Sequence, residues 1–249
     1  ISRHTQNMQT FEGWMRFWEN IVIVSQCRSK KMQTSRHKNI YGILLPLIAN
    51  KYLNVFYFTF VGFFKIRQLN KKYNFEVFQA SDAGGAILAL IASKLYRKKF
   101  IFEVQGDIFD YPGKVGGRVH SSLVKFFSRI LAKRADYIRI VSPFLYKPLG
   151  RLNINREKIF LIPPRCDSKL FSKQNINSDK PKVFRENQYN LLFVGNLLNA
   201  KGVDILLEAF ALIEKENPSI GLVFVGDGEE KERLITRSKE LGINEKVIF

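Results

Sequence analysis

Cysteine and histidine are scarce in this sequence, and neither residue is spaced for chemistry. The two cysteines, Cys27 and Cys166, lie far apart in a chain of 249 residues and form no metal-binding or redox motif. So few cysteines argue against a disulfide-stabilised secreted domain and predict a reducing, cytoplasmic setting. His4, His37 and His120 also lack the spacing of metal ligands. We therefore expect no metal site, and we assign each histidine a structural or exposed role.

Long apolar runs are also missing. Residues 41–64 are the most apolar segment, but polar residues and a proline interrupt it, namely Pro46, Asn50, Lys51 and Asn54. The longest clean stretch falls short of the roughly 20 residues that span a bilayer. No signal peptide is visible. We therefore expect a cytoplasmic protein without a transmembrane helix.

Three well-known nucleotide and acyl-transfer motifs are absent. No Gly-x-Gly-x-x-Gly follows a strand, and no Gly-x-x-x-x-Gly-Lys-Ser/Thr occurs. Dehydrogenase and P-loop functions therefore lack support. No serine nucleophile elbow is present either, so the sequence does not favour an esterase-type hydrolase.

Acidic residues are few in the first part of the chain. Residues 1–185 hold 33 Lys or Arg against 11 Asp or Glu, a net charge of +22, whereas residues 186–249 hold 7 against 11, a net charge of −4. A positive field of this size attracts polyanions: nucleic acid, anionic lipid headgroups or phosphate-bearing substrates. A generally basic, solvated surface is the alternative interpretation.

Apolar residues are plentiful and change their period along the chain. They make up 46% of the sequence and include 22 Phe, which predicts a bulky, ordered core. The alternation predicts strands and helices from residue 75 onwards. The strands are 75–79, 100–104, 137–141, 158–162, 191–194, 222–225 and 247–249, and the helices are 86–96, 121–133, 203–215 and 229–241. Single helices between strands indicate right-handed crossovers and parallel sheets.

A polar segment divides this alternation in two. Residues 168–188 show no apolar period and are predicted to be a linker. The predicted fold class is therefore α/β with two Rossmann-like lobes, residues 1–167 and 189–249, and we expect the second lobe to be incomplete.

The chain before residue 75 is predicted to hold two strands and a helix. The strands are 21–27 and 40–47, and the helix is 52–69, aromatic first and basic at its end. This helix suits a membrane interface, or equally a buried core helix with a solvated end.

The loop of residues 195–202 is the strongest candidate ligand site, because open parallel sheets bind ligands beyond the carboxyl ends of their strands. Gly195 allows a sharp turn after a strand, and Lys201 and Gly202 lie where a helix begins. A helix N-terminus carries a partial positive charge, so this pattern suits a diphosphate. A tight turn with a solvated lysine explains the pattern equally well.

Other strand ends also carry polar side chains. Gln105 and Asp107, around Gly106, offer an amide and a carboxylate that suit a hydroxyl-rich ligand, or Asp107 closes an Asx-type turn. Asp82 is interpreted as a helix cap more readily than as a ligand contact. The Val-Gly-Asp-Gly stretch from residue 225 is interpreted as a turn and helix start.

Several of these segments together resemble one enzyme family. The stretches LLFVGNLLNAKGVDILLEAFALI and LVFVGDGEEKERLITRSKELGINEKVIF resemble the donor-binding lobe of family 4 retaining glycosyltransferases, which have the GT-B fold. The stretches FEVFQASDAGGAILALIASKL, FIFEVQGD, ADYIRIVSPFL and KIFLIPPRCD resemble the acceptor lobe of that family, in the same order. The resemblance covers roughly residues 75–249.

The resemblance implies roles for individual residues. It places the donor diphosphate at Gly195, Asn196, Lys201 and Gly202, and many family members have arginine where this chain has Asn196. On the acceptor side it points to the loops that hold Asp82, Gly106 and Asp107. Many members have histidine at the place of Gln105, which cannot serve as a titratable acid or base. Catalytic roles are expected for Lys201, Asp107 and Gln105.

The resemblance also implies the reaction. It predicts metal-independent transfer of a sugar from a nucleoside-diphosphate sugar to a glycan or lipid-linked acceptor of cell-surface polysaccharide type, with retention of configuration. The protein would use no separate cofactor and would work in the cytoplasm, with an anionic membrane surface as a possible partner. Because the family's glutamate motif is not seen, we expect no transferase activity from these 249 residues alone. A GT-B epimerase or phosphorylase is the alternative, and a basic nucleic-acid-binding protein is a weaker one.

Overall fold

Strands and helices alternate along most of the chain in the computed structural model, which describes residues 14–15, 17–27, 29–109, 117–164 and 189–249. The strands are β1 (Ile21–Cys27), β2 (Gln33–His37), β3 (Ile40–Pro46), β4 (Val77–Ala80), β5 (Lys99–Val104), β6 (Tyr137–Ile140), β7 (Ile159–Leu161), β8 (Tyr189–Val194), β9 (Ile220–Val225) and β10 (Val247–Ile248). The α-helices are α1 (Lys51–Tyr73), α2 (Ala83–Tyr96), α3 (Gly117–Arg134), α4 (Tyr146–Arg151), α5 (Val203–Glu216) and α6 (Lys231–Glu240).

The chain divides into two compact units. Unit 1 is Ile1–Arg165 and unit 2 is Cys166–Phe249. The segment predicted to be the linker, residues 168–188, lies outside the described residues.

The main sheet of unit 1 is fully parallel, in the order β4-β5-β6-β7. Phe78 pairs with Phe100, and Phe102 pairs with Ile138, so large apolar side chains line one face of the sheet. Because the strands follow one another in a single direction, right-handed crossovers place α2, α3 and α4 on that same face. The core of unit 1 forms there.

A smaller sheet in unit 1 has the order β1-β3-β2. β1 runs parallel to β3, while β2 pairs antiparallel with β3 through a turn at Lys38 and Asn39. Sequence periodicity does not predict β2, because its residues Gln-Thr-Ser-Arg-His lack an apolar alternation. It is an edge strand, held mainly by backbone hydrogen bonds rather than by burial.

Three helices cover the core of unit 1. α2 packs against both α1 and α3. At Gly62 of α1 an added Cβ would lie only 2.6 Å from Cδ2 of Leu88 in α2, so these two helices approach closely. The helical spacing of Leu123, Val124, Phe127, Ile130 and Leu131 predicts one apolar face of α3. That face is only partly buried: Leu131 is enclosed, but Leu123, Phe127 and Ile130 remain exposed.

Unit 2 contains a three-stranded parallel sheet in the order β10-β9-β8. α5 connects β8 to β9 and α6 connects β9 to β10, and both pack on a common core. Leu207, Phe210, Leu222 and Phe224 are buried there. The ring of Phe249 stacks on Phe224 with 5.1 Å between the ring centroids.

The predicted α/β fold class is confirmed. Every predicted strand and helix is present, with ends that differ by a few residues. The largest differences are the missed strand β2 and the helix α1, which continues to Tyr73 rather than ending near residue 69. Among the residues that the structure describes, no helix combines the length and the apolar character needed to cross a bilayer.

Candidate functional site

In unit 2 the loop of residues 195–202 connects β8 to α5. Gly195 directly follows the strand, and residues Asn199–Lys201 form a single 3₁₀ turn. Within that turn the amide of Lys201 donates to the Leu198 carbonyl at 2.9 Å, and the amide of Gly202 donates to the Asn199 carbonyl at 2.9 Å. The loop therefore has a defined backbone path up to the start of the helix.

This loop is hydrogen-bonded to the loop that follows β9. The Gly195 amide donates to the Val225 carbonyl at 3.0 Å, and the Leu197 amide donates to the Asp227 carbonyl at 2.9 Å. The Leu197 carbonyl in turn accepts from the Glu230 amide at 3.1 Å. The pairing of β8 with β9 thus continues beyond both strands, and the buried side chain of Leu197 anchors the loop in the core.

Two glycines of the Val-Gly-Asp-Gly stretch permit this close approach. An added Cβ on Gly226 would overlap the Gly195 carbonyl oxygen, and one on Gly228 would overlap the Leu197 carbonyl oxygen. Both obstacles are backbone atoms, so no side-chain rotation could relieve the overlap. The stretch is a turn, as predicted, and it also supports the candidate donor loop.

Among the residues that the structure describes, no side chain caps the N-terminus of α5. Gly202 occupies the cap position with φ of +66°, in the left-handed region, and its carbonyl accepts from the Leu206 amide at 3.0 Å. The first amides of a helix have no partner within the helix, and a glycine cap offers them no side-chain oxygen. They therefore give α5 a positively polarised end that suits an anion.

Lys201 adds a full charge directly before this cap. Its side chain is exposed, and among the described residues no hydrogen bond or ion pair of its ammonium group is found. Asn196, earlier in the loop, is also exposed. Asp204 carries a negative charge in the first turn of α5. Its Oδ2 lies 3.7 Å from Nη2 of Arg233 in α6. The loop thus contains a free cation beside an uncapped helix end.

In unit 1 the corresponding strand ends surround a buried carboxylate that the sequence analysis missed. Glu103 in β5 is only 9% exposed. Its Oε2 accepts from Nε2 of Gln79 at 2.7 Å and lies 3.1 Å from Nη1 of Arg139, and its Oε1 accepts from Nε2 of Gln105 at 3.0 Å. Glu103 therefore joins three neighbouring segments of the sheet.

The register of the sheet explains this cluster. Glu103 in β5 lies directly opposite Arg139 in β6, so their side chains share a face. Two otherwise apolar strands each contain a charged residue in their interior, Glu103 in β5 and Arg139 in β6. These two charges are the sequence signal that could have revealed the pair. Burial of one charge usually requires an opposite one nearby.

The predicted acceptor-side residues in this unit differ in how their side chains are used. Gln105 is exposed, and its amide nitrogen is held by Glu103. Oδ1 of Asp107 accepts a hydrogen bond from the Phe109 amide at 3.2 Å, which forms the predicted Asx-type turn. Asp107 also has a further interaction. An added Cβ on Gly106 would meet nothing within 4 Å, so packing does not require glycine there.

Asp82 caps α2, as the sequence analysis favoured. Its Oδ1 accepts from the Gly85 amide at 2.8 Å, and its carbonyl accepts from the Ala86 amide at 2.8 Å. Because β4 and β5 are parallel neighbours, Asp82 and Gln105 follow adjacent strands at the same edge of the sheet. The structure thus groups Asp82, Gln105, Gly106 and Asp107 in unit 1, and Gly195, Asn196, Lys201 and Gly202 in unit 2.

A cavity elsewhere in unit 1 is not part of this arrangement. It has a volume of about 360 Å³, and Lys133, Asn153 and Lys158 help to line it. These residues precede β6 or β7, so the cavity lies at the amino ends of the strands, opposite the loops described above. No group of three or more metal-ligating side chains occurs within the part of the chain that the structure describes.

Two family models match the sequence. The model described as Glycosyltransferase Family 4 matches residues 18–169, more than half of the chain. The model described as Glycosyl transferases group 1 matches residues 174–249. The two matches follow the division into units.

A curated relative is also named as a glycosyltransferase. The O-antigen biosynthesis glycosyltransferase WbnH of Escherichia coli is 28% identical over 207 residues, which cover 80% of this chain and 52% of that protein. The chain spans about half the length of the curated relatives it matches.

Solved structures show the same fold. Sucrose-phosphate synthase from Thermosynechococcus elongatus has a TM-score of 0.73 and 16% identity, with 100% of this chain and 65% of that chain covered. HepE from Anabaena in complex with UDP has a TM-score of 0.61 and 15% identity, with 92% of this chain and 68% of that chain covered. The predicted GT-B fold is confirmed by these likenesses.

Proposed function

The chain belongs to glycosyltransferase family 4, and on this premise we propose that it takes part in sugar transfer from a nucleoside-diphosphate sugar to a glycan or lipid-linked acceptor. The name of the relative WbnH supports an acceptor in cell-surface polysaccharide synthesis. Retention of the anomeric configuration is proposed from the family resemblance.

The observation that carries this proposal is the uncapped N-terminus of α5 next to Lys201. Anions near a helix N-terminus are stabilised by about 0.3–1 kcal/mol at exposed sites, and by up to about 2 kcal/mol where partly buried. A lysine ammonium adds a charge-assisted hydrogen bond to a phosphate oxygen. A diphosphate has the size and the charge to interact with both the N-terminus of α5 and the Lys201 ammonium.

The proposed chemistry follows from where charge develops. The bond between the anomeric carbon and the diphosphate oxygen breaks, and a hydroxyl oxygen of the acceptor forms the new bond to that carbon, while the hydroxyl proton passes to the departing diphosphate. Negative charge then builds on the departing nucleoside diphosphate. Lys201 and the α5 amides stabilise this charge, and donors placed before the reaction begins are effective because they need no reorganisation. The proposal requires no metal ion.

The polar loops of unit 1 are proposed to orient the acceptor. Gln105 cannot take up a proton at neutral pH, so its role is hydrogen bonding through the amide oxygen. Glu103 fixes the orientation of that amide by accepting from its nitrogen at 3.0 Å. Asp82 and Asp107 already accept backbone hydrogen bonds, so each has at most part of its carboxylate for an acceptor hydroxyl.

Nucleotide binding to the chain provides the test. UDP is the first probe, because HepE was solved in complex with it, and ADP and GDP test the choice of base. We expect Lys201→Gln to weaken UDP binding about 10- to 150-fold in titration calorimetry, since an ammonium–phosphate contact contributes roughly 1.5–3 kcal/mol. Asn196→Arg should tighten binding several-fold, because it adds a second cation to the same loop.

Lys215→Gln is the matched control. Lys215 lies in the last turn of the same helix and is also exposed, so it should leave the dissociation constant unchanged. If none of the three nucleotides binds, or if Lys201→Gln and Lys215→Gln behave alike, the diphosphate site is refuted.

A further inference from the structure

One side of α1 exposes an aromatic stripe. Leu53, Phe56, Phe60 and Phe64 recur at intervals of three and four residues, which is the spacing of a single helix face. Phe56, Phe60 and Phe64 are 71%, 55% and 52% exposed. Their rings contact one another, with centroids 6.0 Å apart for Phe56 and Phe60 and 5.0 Å apart for Phe60 and Phe64. The stripe is therefore continuous.

The opposite side of α1 faces the core. Phe58 and Ile66 are buried, and Gly62 brings the helix against Leu88 of α2. Within the described part of unit 1, the stripe consequently points away from the core.

The neighbouring helices of unit 1 also expose apolar side chains. α2 contributes Leu95, which is 55% exposed, and α3 contributes Phe126, which is 59% exposed, together with Phe127. Since α2 packs against both α1 and α3, these side chains belong to one layer of helices. We name this stripe of α1 the aromatic face and define it by Phe56, Phe60 and Phe64. Contiguous exposed apolar patches on proteins commonly mark interaction sites.

The same three helices are strictly basic. α1, α2 and α3 contain five, one and five Lys or Arg residues respectively, and none of them contains an Asp or Glu. On α1 the stripe continues from the phenylalanines into Arg67 and Lys71, both exposed. A partner of this surface must therefore accept aromatic rings and carry negative charge.

We propose that the aromatic face binds an anionic lipid bilayer, with the rings of Phe56, Phe60 and Phe64 at the boundary between headgroups and acyl chains. Helices that lie in a membrane interface combine an apolar face with Lys and Arg in this way. A nucleic-acid duplex satisfies the charge, but its bases are stacked inside the helix, and its phosphate backbone gives no reason for a continuous stripe of phenylalanines. The surface lies on the helices of unit 1, so this inference does not depend on the proposed sugar transfer.

Vesicle flotation tests the proposal with the whole chain. We expect binding to phosphatidylcholine vesicles that contain phosphatidylglycerol, little binding to vesicles without it, and a marked loss of binding as NaCl is raised to about 0.5 M. The double variant Phe60→Ser with Phe64→Ser should lower the partition coefficient about 10-fold or more, since two apolar side chains are withdrawn. Arg67→Gln and Lys71→Gln should each lower it about fivefold.

Leu212→Ser is the matched control, because Leu212 is 68% exposed on α5 of unit 2, and its replacement should leave partitioning unchanged. Thermal unfolding of each variant verifies that the fold is retained, and the lipid and salt dependence of the unaltered chain provides a test without any substitution. Equal binding to neutral and anionic vesicles would overturn the proposal. So would binding to a DNA duplex without vesicle binding, which would assign the surface to nucleic acid.

Discussion

At the scale of single residues, Asp136 shows how one carboxylate can join two strands. Its Oδ2 accepts from the Phe100 amide at 3.0 Å, and its Oδ1 lies 3.3 Å from Nζ of Lys99. Its own amide donates to the Phe100 carbonyl at 3.0 Å. Partial burial alone would raise the pKa of Asp136, but the Phe100 amide and the Lys99 ammonium outweigh it and lower the pKa below its ordinary value.

This lowered pKa gives a pH dependence of stability with a defined sign. The contribution of ionised Asp136 is fully present above the ordinary aspartate pKa of 3.8 and is lost as the pH falls through the lower pKa of the folded state. We expect Asp136→Asn to destabilise the protein by about 1 kcal/mol near neutral pH. The difference from the unaltered chain should shrink below pH 3.8.

Thermal unfolding across this pH range provides the measurement. Glu245→Gln serves as the control, because Glu245 is exposed and makes no ion pair among the described residues. A stability difference for Asp136→Asn that stays constant from neutral to acidic pH would contradict this assignment.

The residues of the candidate site differ in how far the sequence revealed them. Asp82 follows a strand and precedes a helix, so its capping role could be predicted from local order alone. Glu103 and Arg139 lie in different strands, 36 residues apart, and only the register of β5 and β6 brings them together. A charge inside an apolar strand is ambiguous until its partner across the sheet is known.

At the scale of elements, the two loops after β8 and β9 form one structure. Gly226→Ala tests this directly, because the added Cβ would meet the Gly195 carbonyl oxygen and force the loops apart. We expect a loss of about 1–3 kcal/mol of unfolding free energy. Weaker UDP binding should accompany this loss, since the loop that holds Lys201 would shift.

Gly150→Ala provides a comparison in α4, where an added Cβ meets nothing within 4 Å. That change should be neutral or slightly stabilising, because alanine has the higher helix propensity. Chemical denaturation of both variants measures the difference. If Gly226→Ala is as stable as Gly150→Ala, the two loops do not depend on each other.

Sequence periodicity predicted the regular elements well, because apolar runs in parallel strands and amphipathic helices are strong local signals. It missed β2, whose five polar residues are ordered by pairing with β3 rather than by burial. It also placed Leu123, Phe127 and Ile130 on one face of α3 without showing that this face is exposed. Periodicity identifies an apolar face, but it does not tell what the face contacts.

At the scale of the whole molecule, charge is divided between the two parts of the chain. Residues 1–185 have a net charge of +22 and residues 186–249 a net charge of −4, so repulsion is concentrated in the first part. Salt shortens the range of such repulsion, from about 30 Å at 0.01 M to about 8 Å at 0.15 M.

We therefore expect the thermal midpoint of the chain to rise by about 2–4 °C when NaCl is increased across this range. The double variant Lys71→Gln with Lys72→Gln removes two neighbouring positive charges from the end of α1 and should show a smaller rise. Scanning calorimetry at each ionic strength measures both. A midpoint that falls with added salt would show that attractive ion pairs outweigh the repulsion.

The backbone bonds from Gly195 to Val225 and from Leu197 to Asp227 have a consequence for the kinetics of ligand capture. They fix the shape of the loop that we propose binds the diphosphate, before any nucleotide arrives. Because the loop is already ordered, little conformational entropy remains to be lost when the nucleotide binds. We therefore expect binding to a preformed site, without closure of the loop around the ligand.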